Sequence, residues 1–182
     1  CGGGGVGKSC CTVQYIKHEF DEDMVYDPTI EDTYSTTVKI DNSVVKCDII
    51  DTAGQDEFIA LRDSWMRAAD GYVLIYDVAN KLGYTQCNEF FEKICQVKDT
   101  EDIDIVLAAN KVDLPSYEWK VSTEEGKKLA AKLNNCPFFE VSAKERKNID
   151  EAYNAVLSTY IIANLTYTYS FCQLLQIKKS YY

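Results

Sequence analysis

The first nine residues hold the densest group of side chains that could do chemistry. Residues Gly2 to Ser9 fit the pattern G-x-x-x-x-G-K-S/T, in which glycines let main-chain N–H groups converge on phosphate oxygens. The Lys8 ammonium would reach the β and γ phosphates, and the Ser9 hydroxyl would bind Mg²⁺. The stretch therefore predicts a phosphate-binding loop. Such a loop normally follows a buried strand, but here only Cys1 precedes it.

Strands and helices alternate along the rest of the chain. After the loop, "SCCTVQYIKHEF" has helical spacing, and "STTVKIDNSVVKCDII" alternates as a hairpin around Asp41, Asn42 and Ser43. "GYVLIYDV" and "IDIVLAAN" are apolar runs typical of strands buried on both faces of a parallel sheet, and the helical "YTQCNEFFEKICQV" lies between them.

The second half continues this order. Ser122 and Glu125 form a capping box that opens the helix "EEGKKLAAKL", and "PFFEVSA" supplies another strand. Asn148 starts a final helix that runs to about Asn164. The alternation predicts an α/β fold, a doubly wound and mostly parallel sheet flanked by helices, with its ligand at the carboxyl ends of the strands.

Composition limits the possible partners and compartments. The 182 residues, 46% of them hydrophobic, suffice for one globular domain. A net charge of −10 argues against nucleic acid as a partner. The eight cysteines show no C-x-x-C spacing, which favours a reducing cytosol, and Cys10 and Cys11 are expected to be small helix residues rather than ligands. His18 has no neighbours that would make it a catalytic base.

Four further motifs identify a family resemblance. "YDPTIEDTY" from Tyr26, "DTAGQDE" from Asp51, "NKVD" from Asn110 and "SAK" from Ser142 occur in the order, and near the spacing, of the small GTPase motifs. The chain resembles the Ras family, its Ras and Rap branch most, over residues 1 to about 164. The resemblance implies the phosphate-loop GTPase fold for residues 1–164, a flexible tail at 165–182, bound GTP or GDP, and Mg²⁺.

The resemblance also assigns the residues that hold the nucleotide. Asp113 would accept hydrogen bonds from the ring N–H and amino group of guanine, Asn110 would bond the base and the phosphate loop, and the stem of Lys111 would cover one face of the ring. The implied nucleotide contacts are Gly4, Gly5, Val6, Gly7, Lys8, Ser9, Cys10, Phe20, Thr29, Gly54, Asn110, Lys111, Asp113, Ser142, Ala143 and Lys144.

Two loops resemble the switches of the family. Thr29 would offer its hydroxyl to Mg²⁺ and its N–H to the γ-phosphate, and Gly54 would hold that phosphate from the other side. Asp51 would contact the metal through water, which makes Ser9, Thr29 and Asp51 the implied metal set. Gln55 would position the attacking water, so that Gln55 and Lys8 are the implied catalytic residues of a slow GTPase. The first switch has no Arg, so an activating protein would supply one in trans.

Partners and location follow from the same comparison. Effectors would bind through Tyr26–Tyr34, and an exchange factor would reload the chain. "CQLL" from Cys172 has the form of a prenylation signal, but "QIKKSYY" follows it, so we expect no lipid there. The expected location is the cytoplasm, or the inner face of the plasma membrane if the tail is processed.

The chain departs from the family in two further places. "FDEDMVYDPT" is about two residues longer than the family's path to Thr29, which affects Tyr26. The family also has a central strand before the phosphate loop, between "VVKCDII" and "GYVLIYD". We expect its absence to leave two strand edges unpaired and the 182 residues to fold poorly, as a fragment from which that strand was cut.

Two functions of different classes remain open from the sequence. The first is a GTP-hydrolysing switch. The alternative is a truncated or pseudo-GTPase that keeps the motifs but cannot hold nucleotide. An ATP-using phosphate-loop enzyme is disfavoured by "NKVD".

Overall fold

A computed structural model of the chain describes residues 1–20, 31–40, 43–52 and 59–159. Four helices have the bounds α1 Lys8–Lys17, α2 Ile59–Ala68, α3 Lys81–Lys98 and α4 Thr123–Lys132, and a fifth, α5, covers residues 149–159. The strands are β1 Glu31–Ile40, β2 Ser43–Thr52, β3 Gly71–Asp77, β4 Asp104–Asn110 and β5 Phe138–Glu140. A short 3₁₀ helix at Ser116–Glu118 follows β4.

The strands form two separate sheets within these ranges. β1 and β2 make an antiparallel hairpin, and β3, β4 and β5 make a parallel sheet in that order. The predicted hairpin, parallel strands and α/β class are confirmed. Ser43 opens β2, whereas the sequence placed it in the turn, and Asp41 and Asn42 lie outside the described residues.

The last strand is shorter than predicted. β5 ends at Glu140, although "PFFEVSA" suggested a run through Ala143. Val141 still donates its N–H to the carbonyl of Ala109, at 2.7 Å, but Ser142 then pairs with Lys147 in an isolated bridge. The chain therefore leaves the sheet to form a turn at 142–147.

Helices cover both faces of the parallel sheet. Successive side chains of a strand point to opposite faces, so neighbouring residues of β3 and β4 belong to different clusters. Leu74 and Leu107 pack with Ile94 of α3 in one buried cluster, and Ile75 and Val106 pack in the other. The second cluster includes side chains of α1 and α5: Cys11, Tyr15, Ile149, Ala152, Tyr153 and Val156. Coverage on both sides is the doubly wound arrangement that the sequence predicts.

A cavity of about 510 Å³ lies between the hairpin and the parallel sheet, lined in part by Ile49 of β2 and Val73 of β3. The Cys1 amino group donates a hydrogen bond to the Val73 carbonyl at 2.7 Å, and the Ile75 N–H donates to the Cys1 carbonyl at 2.8 Å. This pair of bonds is the pattern of a parallel ladder. Cys1 thus extends beside β3 and leads directly into the phosphate loop, at the place where the sequence predicted a further strand.

Two residues that the sequence analysis singled out lie at the ends of helices. His18 is exposed and caps the end of α1 in the left-handed conformation, with φ of 59°. Asn148 directly precedes α5 and its side chain donates to the Glu140 carbonyl at 2.8 Å. The predicted end of this helix and the boundary at residue 165 lie outside the described residues. None of the described helices has the length and apolar character needed to span a membrane.

Candidate functional site

The phosphate loop packs tightly against the ends of β3 and β4. Gly7 has φ of +91°, and a Cβ there would lie 2.4 Å from Nδ2 of Asn110. At Gly2 a Cβ would lie 2.3 Å from the Ile75 carbonyl oxygen. A side chain at either position would collide with buried polar atoms, so the loop reaches the sheet edge only with glycine here.

The phosphate loop contains both buried and exposed residues. The Val6 side chain is fully buried and anchors the loop, whereas Gly4 and Gly5 lie at the surface. The Lys8 side chain is buried, and its ammonium donates to the Gly3 carbonyl at 2.8 Å. The predicted phosphate-binding ammonium is therefore held inside the curve of the loop, at the start of α1.

Asp51 lies near the end of β2 beside this loop. It is 3% exposed, it accepts a hydrogen bond from Ser9, and its Oδ2 atom is buried with no hydrogen-bond partner among the described residues. Desolvation raises the pKa of Asp51, against the opposing effects of the Ser9 hydrogen bond, the amino terminus and Lys8. A cation would satisfy the unpaired oxygen, and hydroxyl and carboxylate oxygens are ligands that Mg²⁺ prefers. Ser9 and Asp51 therefore fit the magnesium that the motifs imply.

The described residues contain no group of three or more His, Cys, Asp or Glu side chains that could hold a metal. An all-protein metal cage is thus not present in this part of the chain. The predicted set needs only one carboxylate, because Mg²⁺ in nucleotide sites commonly takes its other ligands from hydroxyls, water and phosphate.

Asn110 joins three segments at the carboxyl end of β4. The residue is 1% exposed. Its Nδ2 donates to the Val6 carbonyl at 2.9 Å, and its Oδ1 accepts from the N–H of Ala143 at 3.2 Å. One amide therefore fixes the phosphate loop relative to the turn at 142–147, as the sequence predicted for the loop contact.

A second set of bonds holds Asp113 and the same turn. The Ser142 hydroxyl donates to Oδ1 of Asp113 at 2.6 Å and accepts from the N–H of Glu145 at 3.0 Å. Ser142 itself is fully buried. Ser142, itself a predicted nucleotide contact, thereby orients the Asp113 carboxylate that is predicted to recognise guanine.

Sequence reasoning missed two residues of the site. Gln14 of α1 is 4% exposed and donates through Nε2 to the Ala143 carbonyl at 2.7 Å. Asp77 ends β3 and forms an ion pair with Lys111, with 2.7 Å between Oδ2 and Nζ. The available signals were a glutamine on the inward face of a helix and a carboxylate ending an apolar strand at the binding edge of the sheet.

The remaining predicted residues fall into two groups. Cys10 is exposed on α1 and Cys11 is buried, as expected for neighbours on a helix, while Phe20 is 37% exposed and Lys144 lies at the surface. Tyr26, Thr29, Gly54 and Gln55 lie outside the described residues. The structure thus brings together the phosphate loop, Asp51 and the base-binding motifs.

Comparisons with known proteins agree with this geometry. The model of the Ras family matches residues 1–161. The GTP-binding protein Rit2 of Mus musculus is 46% identical over 156 residues, which cover 86% of this chain and 70% of that protein. Ras-like protein rasB of Dictyostelium discoideum is 44% identical over the same length, covering 86% of this chain and 77% of its own.

A yeast relative extends the comparison. Ras-like protein 1 of Saccharomyces cerevisiae is 44% identical over 156 residues, covering 86% of this chain and 49% of that protein. A family match over most of the chain, joined to a phosphate loop tied by Asn110 to the base-binding turn, leads to one conclusion: the chain belongs to the Ras family of small GTPases, which are GTP-binding switches.

Proposed function

We propose that this chain binds GTP with Mg²⁺, hydrolyses it slowly to GDP, and signals through effectors in its GTP state. The observation that carries the proposal is the Asn110 amide, which bonds both Val6 and Ala143. Because one buried side chain connects the phosphate-binding and base-binding segments, a bound nucleotide would contact a preorganised surface.

Selectivity for guanine is assigned to Asp113. Its carboxylate accepts the Ser142 hydroxyl and would also accept the ring N–H and the amino group of guanine. Adenine presents no such pair of donors. Because Ser142 holds it, the Asp113 carboxylate would already be oriented for guanine before the nucleotide binds.

The test is competition binding with the wild type and with Asp113→Asn. Wild type should bind GTP far better than ATP, and the variant should lose GTP affinity and gain affinity for xanthosine triphosphate, because the donor pattern on the protein side is reversed. Asp102→Asn is the matched control, because Asp102 is exposed and precedes β4 at the end opposite the site. Equal displacement by ATP and GTP in the wild type would end the guanine assignment.

Hydrolysis would divide its tasks among a few side chains. Ser9, Thr29 and Asp51 would hold Mg²⁺, which would neutralise phosphate charge when bound. Lys8 would bind the β and γ phosphates, and Gln55 would position the attacking water. No Arg occurs between Phe20 and Tyr34, so an activating protein would complete the charge stabilisation in trans.

Switching would follow from loss of the γ-phosphate. Thr29 and Gly54 would hold that group from two loops, and hydrolysis would release both. Effectors would bind through Tyr26–Tyr34 only in the GTP state, and an exchange factor would restore it. We propose that these events take place in the cytoplasm.

The rival function is a Ras-family chain that keeps the motifs but does not retain nucleotide. The cavity between β2 and β3 favours it, because the two sheets lack pairing there among the described residues. Failure of both GTP and ATP to bind would support this rival, whereas selective GTP binding would contradict it.

A further inference from the structure

Asp77 is a buried carboxylate at the binding edge of the parallel sheet. It is 8% exposed and lies opposite Asn110 in the register of β3 and β4. Its Oδ1 accepts the N–H of Ala79 at 2.8 Å, and its Oδ2 lies 2.7 Å from Nζ of Lys111. A buried carboxylate needs such partners, and here one of them is a side chain of the nucleotide site.

The ammonium of Lys111 is held at a second point. Nζ also donates to the Gly5 carbonyl of the phosphate loop, at 3.3 Å. The backbone of Lys111 is in the left-handed region, with φ of +68°, a conformation that L-residues rarely adopt and that directs the side chain. Both ends of the lysine stem are therefore fixed, by the turn after β4 and by the Asp77 carboxylate.

We propose that Asp77 is a positioning residue for nucleotide binding: it holds the Lys111 ammonium so that the lysine stem forms one wall of the base site before nucleotide arrives. The inference rests on the proposed function, in which that stem covers one face of guanine. Asp77 contacts Lys111 and Ala79, so it would act on the nucleotide through the lysine.

The energetic reason is side-chain entropy. A lysine has several rotatable bonds, and ordering it on binding weakens the affinity. With Asp77 in place, the Lys111 side chain is already ordered in the free protein, so nucleotide binding loses less side-chain entropy. Removing the charge should therefore speed nucleotide release about tenfold, the size expected for one charged hydrogen bond, and should change the association rate little.

The experiment is a double-mutant cycle on the dissociation rate of fluorescently labelled GDP. The variants are Asp77→Asn, Lys111→Met and the double variant, with Asp102→Asn as the control at the far end of the sheet. If Asp77 acts through Lys111, release from the double variant should equal release from Lys111→Met alone. An equal fold-increase from Asp77→Asn in both backgrounds would overturn the proposal, as would no change in the wild-type background.

A second readout does not require nucleotide. In the nucleotide-free protein, Asp77→Asn should raise the acetylation rate of Lys111 relative to the exposed Lys120, measured by peptide mass spectrometry. An unchanged ratio would contradict the proposal, and thermal unfolding of each variant checks that the fold persists. If the wild type binds no guanine nucleotide, the proposed function fails; if it binds GDP normally and only the Asp77 effects are missing, this inference alone fails.

Discussion

Replacing Asn110 with alanine should reduce both the stability of the fold and the affinity for guanine nucleotide. The side chain is 1% exposed and bonds the Val6 carbonyl and the Ala143 N–H. Truncation leaves both of these backbone groups without their partner. An unsatisfied buried polar group costs about 1–3 kcal/mol, so the expected loss in the free energy of unfolding is about 2–6 kcal/mol.

The assay is thermal unfolding with and without GDP and Mg²⁺. For a chain of this length about 1 kcal/mol corresponds to about 2–4 °C, so the nucleotide-free midpoint should fall by roughly 4 °C or more. The shift that GDP produces should shrink as well, because Val6 and Ala143 belong to the two segments that would bind it. Asn88→Ala is the control, since its side chain bonds only Glu92 at the surface among the described residues. A nucleotide-free midpoint for Asn110→Ala equal to that of the control would refute the reasoning.

Four other outcomes are expected. Gln55→Leu should keep GTP affinity but abolish single-turnover hydrolysis, and unaltered turnover would remove Gln55 from its role. Asp51→Asn should raise the nucleotide-free unfolding midpoint at pH 7, because burial raises the pKa of the Asp51 carboxyl and its charged form therefore opposes folding at pH values above its ordinary pKa. Mg²⁺-dependent binding should fall in the same variant, and a lower midpoint would contradict this. Hydrogen bonds from Lys81, then from the capping box, lower the pKa of Glu125 to about 2. The wild type should therefore be more stable than Glu125→Gln above about pH 4.5, and this difference should disappear as the pH falls toward 2. A difference in denaturation midpoint that stays constant with pH would refute the prediction. Adding about eight residues of alternating apolar pattern before Cys1 should fill the cavity beside β3 and raise the free energy of unfolding by ~8 kcal/mol or more, through burial of about five aliphatic side chains. An unchanged thermal unfolding midpoint would show that the cavity accepts no strand.

The sequence predicted the site best where a motif also fixes the backbone. Asn110 ends β4 and Asp113 lies in the turn that follows, so a buried apolar run and a polar motif together placed them at the carboxyl edge of the sheet. The capping box of Ser122 and Glu125 was equally readable, because both of its bonds are local. Elements and contacts set by neighbours in sequence could thus be predicted.

Contacts between distant segments could not be predicted in this way. Gln14 meets Ala143 across 129 residues, and Asp77 meets Lys111 across a strand pairing whose partners the sequence does not name. The early end of β5 depends on the bridge between Ser142 and Lys147, which competes with continued pairing to β4. Each of these depends on tertiary geometry rather than on local pattern.

The most direct test of the central claim is the identity of the nucleotide that the chain carries. The protein is purified in the presence of Mg²⁺ and denatured, and the released nucleotide is identified and counted by chromatography. We predict GDP or GTP at near one per chain, with no adenine nucleotide. An empty chain whose thermal unfolding does not respond to added GDP, or a chain that releases an adenine nucleotide, would contradict the account.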